Sequence, residues 1–95
     1  MTDNELTRLA YMAAFSGADL LEDVDMLKRW SPLTDDGDAL RLAVKLNMDI
    51  LNCNGACSVN DGHSDEFVNE HNFEDPCAAT RLAIVRAAAF IGKSL

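Results

Sequence analysis

Residues 48–59 read MDILNCNGACSV. Two apolar runs flank Asn54-Gly55, the pair that best suits a type I′ turn because both central residues there need positive φ. The stretch therefore reads as a β-hairpin. A two-residue turn sets its register, with Cys53 opposite Ala56, Asn52 opposite Cys57 and Ile50 opposite Val59. Side chains alternate along a strand. Cys53 and Cys57 are thus expected on opposite faces of the sheet, where they cannot share one tetrahedral zinc. The wider spacing to His63 and Cys77 also lacks the short paired knuckles of zinc sites.

Working outward, Phe67 and Val68 sit among polar residues and mark a third strand near 66–72. The loop before it, from Asn60 to Asp65, is polar. Asp75-Pro76 opens a long helix, with Asp as N-cap and Pro at the first helical position. Ala79, Leu82, Ala83, Val85, Ala87, Ala89, Phe90 and Ile91 make that helix apolar on most of its circumference. A helix of that kind belongs at the centre of a fold, where alanines let other elements approach closely. Gly92 is expected to end it.

Upstream of the hairpin, Thr2 and Glu5 form a capping box for a first helix running to about Phe15, with Leu6, Leu9, Ala10 and Ala13 inward. Asp19 caps a second, thinner helix with Leu20, Val24, Leu27 and Trp30 inward. Ser31-Pro32 interrupts the chain. Thr34 is expected to cap the next helix. Ala39, Leu40, Leu42, Ala43 and Leu46 form its apolar face, and Asn47 is its C-cap. The expected fold class is α+β: a small antiparallel sheet, hairpin 48–59 plus a strand near 66–72, packed against helices with the C-terminal helix central. Residues 1–95 are expected to form a single domain.

Sixteen acids against eight bases give a net charge of −8. Such a surface repels phosphate backbones and anionic membranes, so neither nucleic acid nor membrane is an expected partner. The charge is segregated. Residues 1–38 carry nine acids and three bases, and residues 61–75 carry six acids and no base. Asp19, Glu22, Asp23 and Asp25, with Asp61, Asp65, Glu66 and Glu70, are the candidate acidic surface for a partner protein with a basic face. The bland alternative is a solvated, solubilising surface. No run of residues is long and apolar enough for a transmembrane helix. The opening MTDNELTR has acids where a signal peptide has bases. Three cysteines, an odd number, fit free thiols in a cytoplasmic setting.

Catalytic and metal readings are thin. Cys77 lies in a first helical turn, where the dipole lowers a thiol pKa. A nucleophile there needs a base, and His63 and His71 are the only histidines. Asp35-Asp36-Gly37-Asp38 lacks the alternating ligands and terminal Glu of an EF-hand, and helix capping explains it better. Asp61, His63, Asp65 and Glu66 read as a solvated loop. No cofactor or metal is expected, and the chain is not expected to be an enzyme.

One resemblance rises above composition. Residues 30–46, WSPLTDDGDALRLAVKL, resemble the WxPLTDDGDALRLAVKL segment of small proteins from tailed bacteriophages and prophages, described as phage ABA-sandwich or similar domains. Residues 75–92, DPCAATRLAIVRAAAFIG, are similar to the DPxAATRRAIVRAAAEIG ending of the same group. The two segments cover about a third of the chain. Leu82 and Phe90 replace charged or polar residues of the pattern, which implies a wider buried face or a self-association surface. The resemblance implies a phage-encoded accessory protein in the bacterial host cytoplasm and transfers no catalytic residue. By analogy of source, size and charge, binding of a host or phage protein is expected, with an anti-CRISPR or other anti-defence role as its most concrete form. A self-associating structural or morphogenetic protein, a homodimer among the possibilities, is the alternative.

Overall fold

The computed structural model describes residues 2–14, 30–53, 56–60, 67–71 and 75–93. The helix expected from Asp19 and the loop 61–66 lie outside the described residues. Helix α1 spans Asp3–Ala14, α2 Asp36–Lys45 and α3 Pro76–Lys93. Strands β1 (Asp49–Cys53), β2 (Ala56–Asn60) and β3 (Phe67–His71) form an antiparallel sheet in the order β1-β2-β3. The fold class is α+β, as the sequence indicates.

The hairpin register matches the two-residue turn. Cys53 pairs with Ala56, Asn52 with Cys57 and Ile50 with Val59. Cys57 and Val59 are buried, while Ser58 between them is half-buried. This alternation turns one face of β2 to the core. β3 pairs with β2 from Asn60–Phe67 to Ala56–His71.

Helix α3 is the central element. It packs against α1, α2, β2 and β3, and its contact with α1 is the largest between described elements. Eight of its residues are buried: Ala79, Ala83, Ile84, Val85, Ala87, Ala88, Ala89 and Gly92. Five are alanines, which keep the helix slim enough to be surrounded. Phe90 departs from the expected inward position and is 60 % exposed, while Leu82 is half-buried against the core. At its start, the Asp75 carboxylate accepts from the Ala78 N–H at 3.0 Å, the expected N-cap bond.

The other end of α3 corrects the sequence reading. The helix runs through Gly92 to Lys93, so the glycine lies inside it. A Cβ at Gly92 would sit 2.0 Å from the Leu9 carbonyl oxygen and 2.8 Å from its carbon. The glycine is needed because the α1 backbone lies on it, not because the helix stops there. In α1, Leu6, Ala10, Tyr11 and Ala14 are buried, and Leu9 packs alongside. The Thr2 hydroxyl accepts from the Glu5 N–H at 3.2 Å, one half of the expected capping box.

Three further corrections concern α2. Its N-cap is Asp35, not Thr34. The Asp35 backbone is extended (φ −116°, ψ 116°), and its carboxylate accepts from the Asp38 N–H at 2.9 Å. Thr34 is held one residue earlier in a turn, its N–H donating to the Ser31 carbonyl at 3.1 Å and its hydroxyl bonded to that of Ser31. At the far end Leu46 is the C-cap, and Asn47 follows it with φ 55°. The Asn47 N–H donates to the Val44 carbonyl at 3.2 Å and the Met48 N–H to that of Ala43 at 2.9 Å. These two bonds make a Schellman motif, for which asparagine is a common left-handed residue. Leu40 was expected on the inner face; it is 59 % exposed, and Ala39, Leu42 and Ala43 are the buried ones.

Gly92→Ala is expected to destabilise the protein by about 1–3 kcal/mol through overpacking against a backbone that cannot rotate away. Val85→Ala, at a fully buried site, should cost on the order of 2–4 kcal/mol. Denaturant melts check both, and unchanged midpoints would mean that α3 is not the core helix.

Candidate functional site

The segment from Trp30 to Asp38 carries the acidic motif that most resembles a ligand loop. Each of its carboxylates has a structural task. Asp35 caps α2. Asp36 pairs with Arg81 of α3, whose Nε also donates to the Leu33 carbonyl at 2.9 Å. Asp38 accepts from the Ser31 N–H at 3.0 Å and from the Arg41 guanidinium at 2.8 Å. Pro32 is buried, and Trp30 meets Tyr11 of α1 edge-to-face at a centroid distance of 5.6 Å. The loop thus ties α1, α2 and α3 together. Gly37 keeps the turn open: a Cβ there would lie 3.1 Å from an Asp35 carboxylate oxygen and 3.2 Å from the Arg41 guanidinium.

The Asp38 side chain is only 16 % exposed. The Ser31 N–H is the main cause holding its carboxyl below the usual carboxylate range; partial burial opposes this and Arg41 reinforces it.

The cysteines are separated. Cys57 is buried in the core on β2, and Cys77 is exposed in the first turn of α3. The register pairs Cys57 with Asn52, and Cys53 with Ala56. His63 lies outside the described residues, and His71 ends β3 opposite Ala56. Among the described residues, no group of three His, Cys, Asp or Glu is placed to hold a metal ion. No helix among them is long and apolar enough to cross a membrane. Of the candidate acidic surface, Asp19, Glu22, Asp23, Asp25, Asp61, Asp65 and Glu66 lie outside the described residues. Glu70 falls in β3, with Cys57 as its cross-strand partner.

What the sequence did not single out is the outward side of α2. Leu40 and Val44, four residues apart, are 59 % and 68 % exposed. Leu40 borders a groove of about 440 Å³ lined also by Asp36, Ala39, Ile50, Cys77 and Arg81 among others. The signal was present: Leu40 and Val44 form a row of their own, off the Ala39–Ala43 row that faces the core. No family model, curated protein or solved structure matches the chain.

A carboxyl held low in the folded state adds stability above its unfolded pKa, near 3.9 for aspartate, and loses it as pH falls through the folded value. Asp38→Asn is therefore expected to lower stability at neutral pH and to narrow its gap to the wild type below about pH 4. Urea melts of both proteins from neutral to acid pH check this; a gap that stays constant would show that the charge of Asp38 is not what the Ser31 N–H and Arg41 bind.

Proposed function

We propose that this chain is a non-enzymatic accessory protein of a tailed phage or prophage that works in the bacterial cytoplasm by binding a host or phage protein with a basic surface. Inhibition of a host defence system, anti-CRISPR or other, is its most concrete form. The observation that carries the reading is the segregated charge. The whole chain stands at −8, and two stretches, 1–38 and 61–75, hold fifteen of the sixteen acids. Asp35, Asp36 and Asp38 are engaged within the fold. Asp19, Glu22, Asp23, Asp25, Asp61, Asp65, Glu66 and Glu70 are the candidate acids for a docking field. Such a field speeds encounter with a basic partner and weakens as salt rises.

The resemblance of residues 30–46 and 75–92 to phage proteins supports the source. Within those segments Trp30, Pro32, Asp35, Asp36, Asp38, Asp75 and Arg81 serve caps, turns and packing. Their roles explain a shared fold without a shared chemistry. The exposed Cys77 keeps a cysteine enzyme as the competing reading.

Reversing Glu22, Asp23 and Asp25 to Lys is expected to abolish partner capture from an infected or lysogenic host, and with it any phage protection in a defended host. Replacing Cys77 with Ser is expected to leave both unchanged. The enzyme reading demands the opposite pattern: loss with Cys77→Ser and indifference to charge reversal.

A further inference from the structure

We propose that the outer edge of β1, with the groove beside it, takes up an extended peptide of alternating apolar and basic residues as a fourth, antiparallel strand. The proposal stands apart from the function proposed above, which rests on acids elsewhere in the chain.

β1 lies at one end of the sheet order β1-β2-β3. Its register with β2 closes on Cys53–Ala56 across a two-residue connection. In such a hairpin the flanking residues form a hydrogen-bonded pair, and bonded and non-bonded pairs alternate from there. Leu51–Ser58 and Asp49–Asn60 are then bonded pairs, and Ile50–Val59 is not. The main-chain N–H and C=O of Ile50 therefore point away from β2. Among the described residues, no backbone hydrogen bond from outside the sheet reaches them. Edge strands are usually guarded by Lys, Pro or a bulge. β1, DILNC, has no base and no Pro, and its register runs without a bulge.

The groove lies at this same edge. Ile50 shares the core face with the fully buried Val59, yet it is only half-buried. The reason is that α3 packs against β2 and β3 more than against β1. The space left beside Ile50 is the groove of about 440 Å³, walled by Ala39 and Leu40 of α2 and by Pro76, Cys77 and Ile84 of α3. A strand added to β1 places every second side chain on the core face, over this groove. Main-chain bonds then supply affinity and the groove selects apolar side chains. Leu40, 59 % exposed, is covered by such a strand.

Charge decides what the other side chains must be. They fall on the outer face, beside Asp49 and Leu51. Asp49 is exposed, and neither ion pair among the described residues uses it. At the groove itself, the Asp36 side chain stays 67 % exposed although it is bonded to Arg81. Arg81 is committed to Asp36 and to the Leu33 carbonyl. The accessible charge is negative, so the complementary segment carries bases between its apolar residues. A second copy would bring a further −8 and a β1 strand without a base, which leaves a segment of another protein as the occupant.

Titration of the full chain with the capped peptide Val-Lys-Val-Lys-Val-Lys, followed by two-dimensional NMR, tests the proposal. Binding is expected with a dissociation constant below about a millimolar. Shifts should centre on Ile50, Leu40 and Ile84, and the Ile50 amide should exchange about tenfold more slowly in the complex. N-methylation of the valines, whose N–H groups face β1, should abolish binding. N-methylation of the lysines, whose N–H groups face away, should not. Leu40→Glu should weaken binding about fivefold or more, with circular dichroism unchanged, although it adds a negative charge. Phe90→Glu adds the same charge away from the groove and should leave the affinity within about twofold. The proposal is overturned by an absence of binding, by equal loss from the two N-methylated peptides, or by tighter binding to Leu40→Glu, which would mark charge attraction alone. It is overturned equally if the free protein sediments as a dimer with its Ile50 amide already protected, because a second copy then holds the edge.

Discussion

The α1 backbone rests directly on α3 at Gly92, with the Leu9 carbonyl filling the space a side chain would take. The rest of the architecture is built around that proximity. A helix approached so closely must be slim, and α3 is, with alanine at five of its eight buried positions. Slimness in turn lets α3 be enclosed: α1 packs on it, α2 and the sheet pack on it too, and Ile84 and Val85 supply its buried bulk. A chain of this length can support only one modest core. Concentrating that core on a single alanine-rich helix keeps interhelical distances short and dispersion contacts dense.

The second organising feature is the loop from Trp30 to Asp38. Its carboxylates divide the work of holding three helices. Asp35 begins α2, Asp36 reaches Arg81 on α3, and Asp38 closes back on the Ser31 amide. The aromatic contact of Trp30 with Tyr11 fixes the same loop to α1. An acidic run that looks at first like a cation loop is thereby a set of hydrogen-bond acceptors aimed at backbone amides and two guanidinium groups. Charge-assisted bonds of this type are stronger than neutral ones, which suits a loop with little apolar surface of its own.

Function is best read from what these tasks leave over. The conspicuous carboxylates of 35–38 are bonded within the fold, and the candidate docking acids lie in 19–25 and 61–70. An acidic field of this kind would suit the proposed recognition of a basic protein. Among the described residues, four large apolar groups are exposed, and two of them, Leu40 and Val44, share one side of α2.

The hairpin and its register, the start of α1 at Thr2 and the start of α3 at Asp75-Pro76 were legible in the sequence, because each rests on residues a few positions apart: a turn dipeptide, a hydroxyl, a carboxylate before a proline. The acidic bias was equally plain, since charge is a sum. The misreadings have two causes, a local turn in one case and remote packing in the others. Gly92 looks locally like a helix stop, yet its role is set by Leu9, at the far end of the chain. Thr34 and Asp35 are both good caps, and the turn to Ser31 decides between them. Leu40 is as apolar as Leu42, and only the docking of α2 on α3 turns one out and the other in. The sequence by itself determined the described elements, their order and the net charge, because those follow from short-range backbone preferences and composition. The tertiary structure alone decided which face of each helix is buried and which small residue is a contact, because those depend on backbone from remote parts of the chain arriving within van der Waals distance.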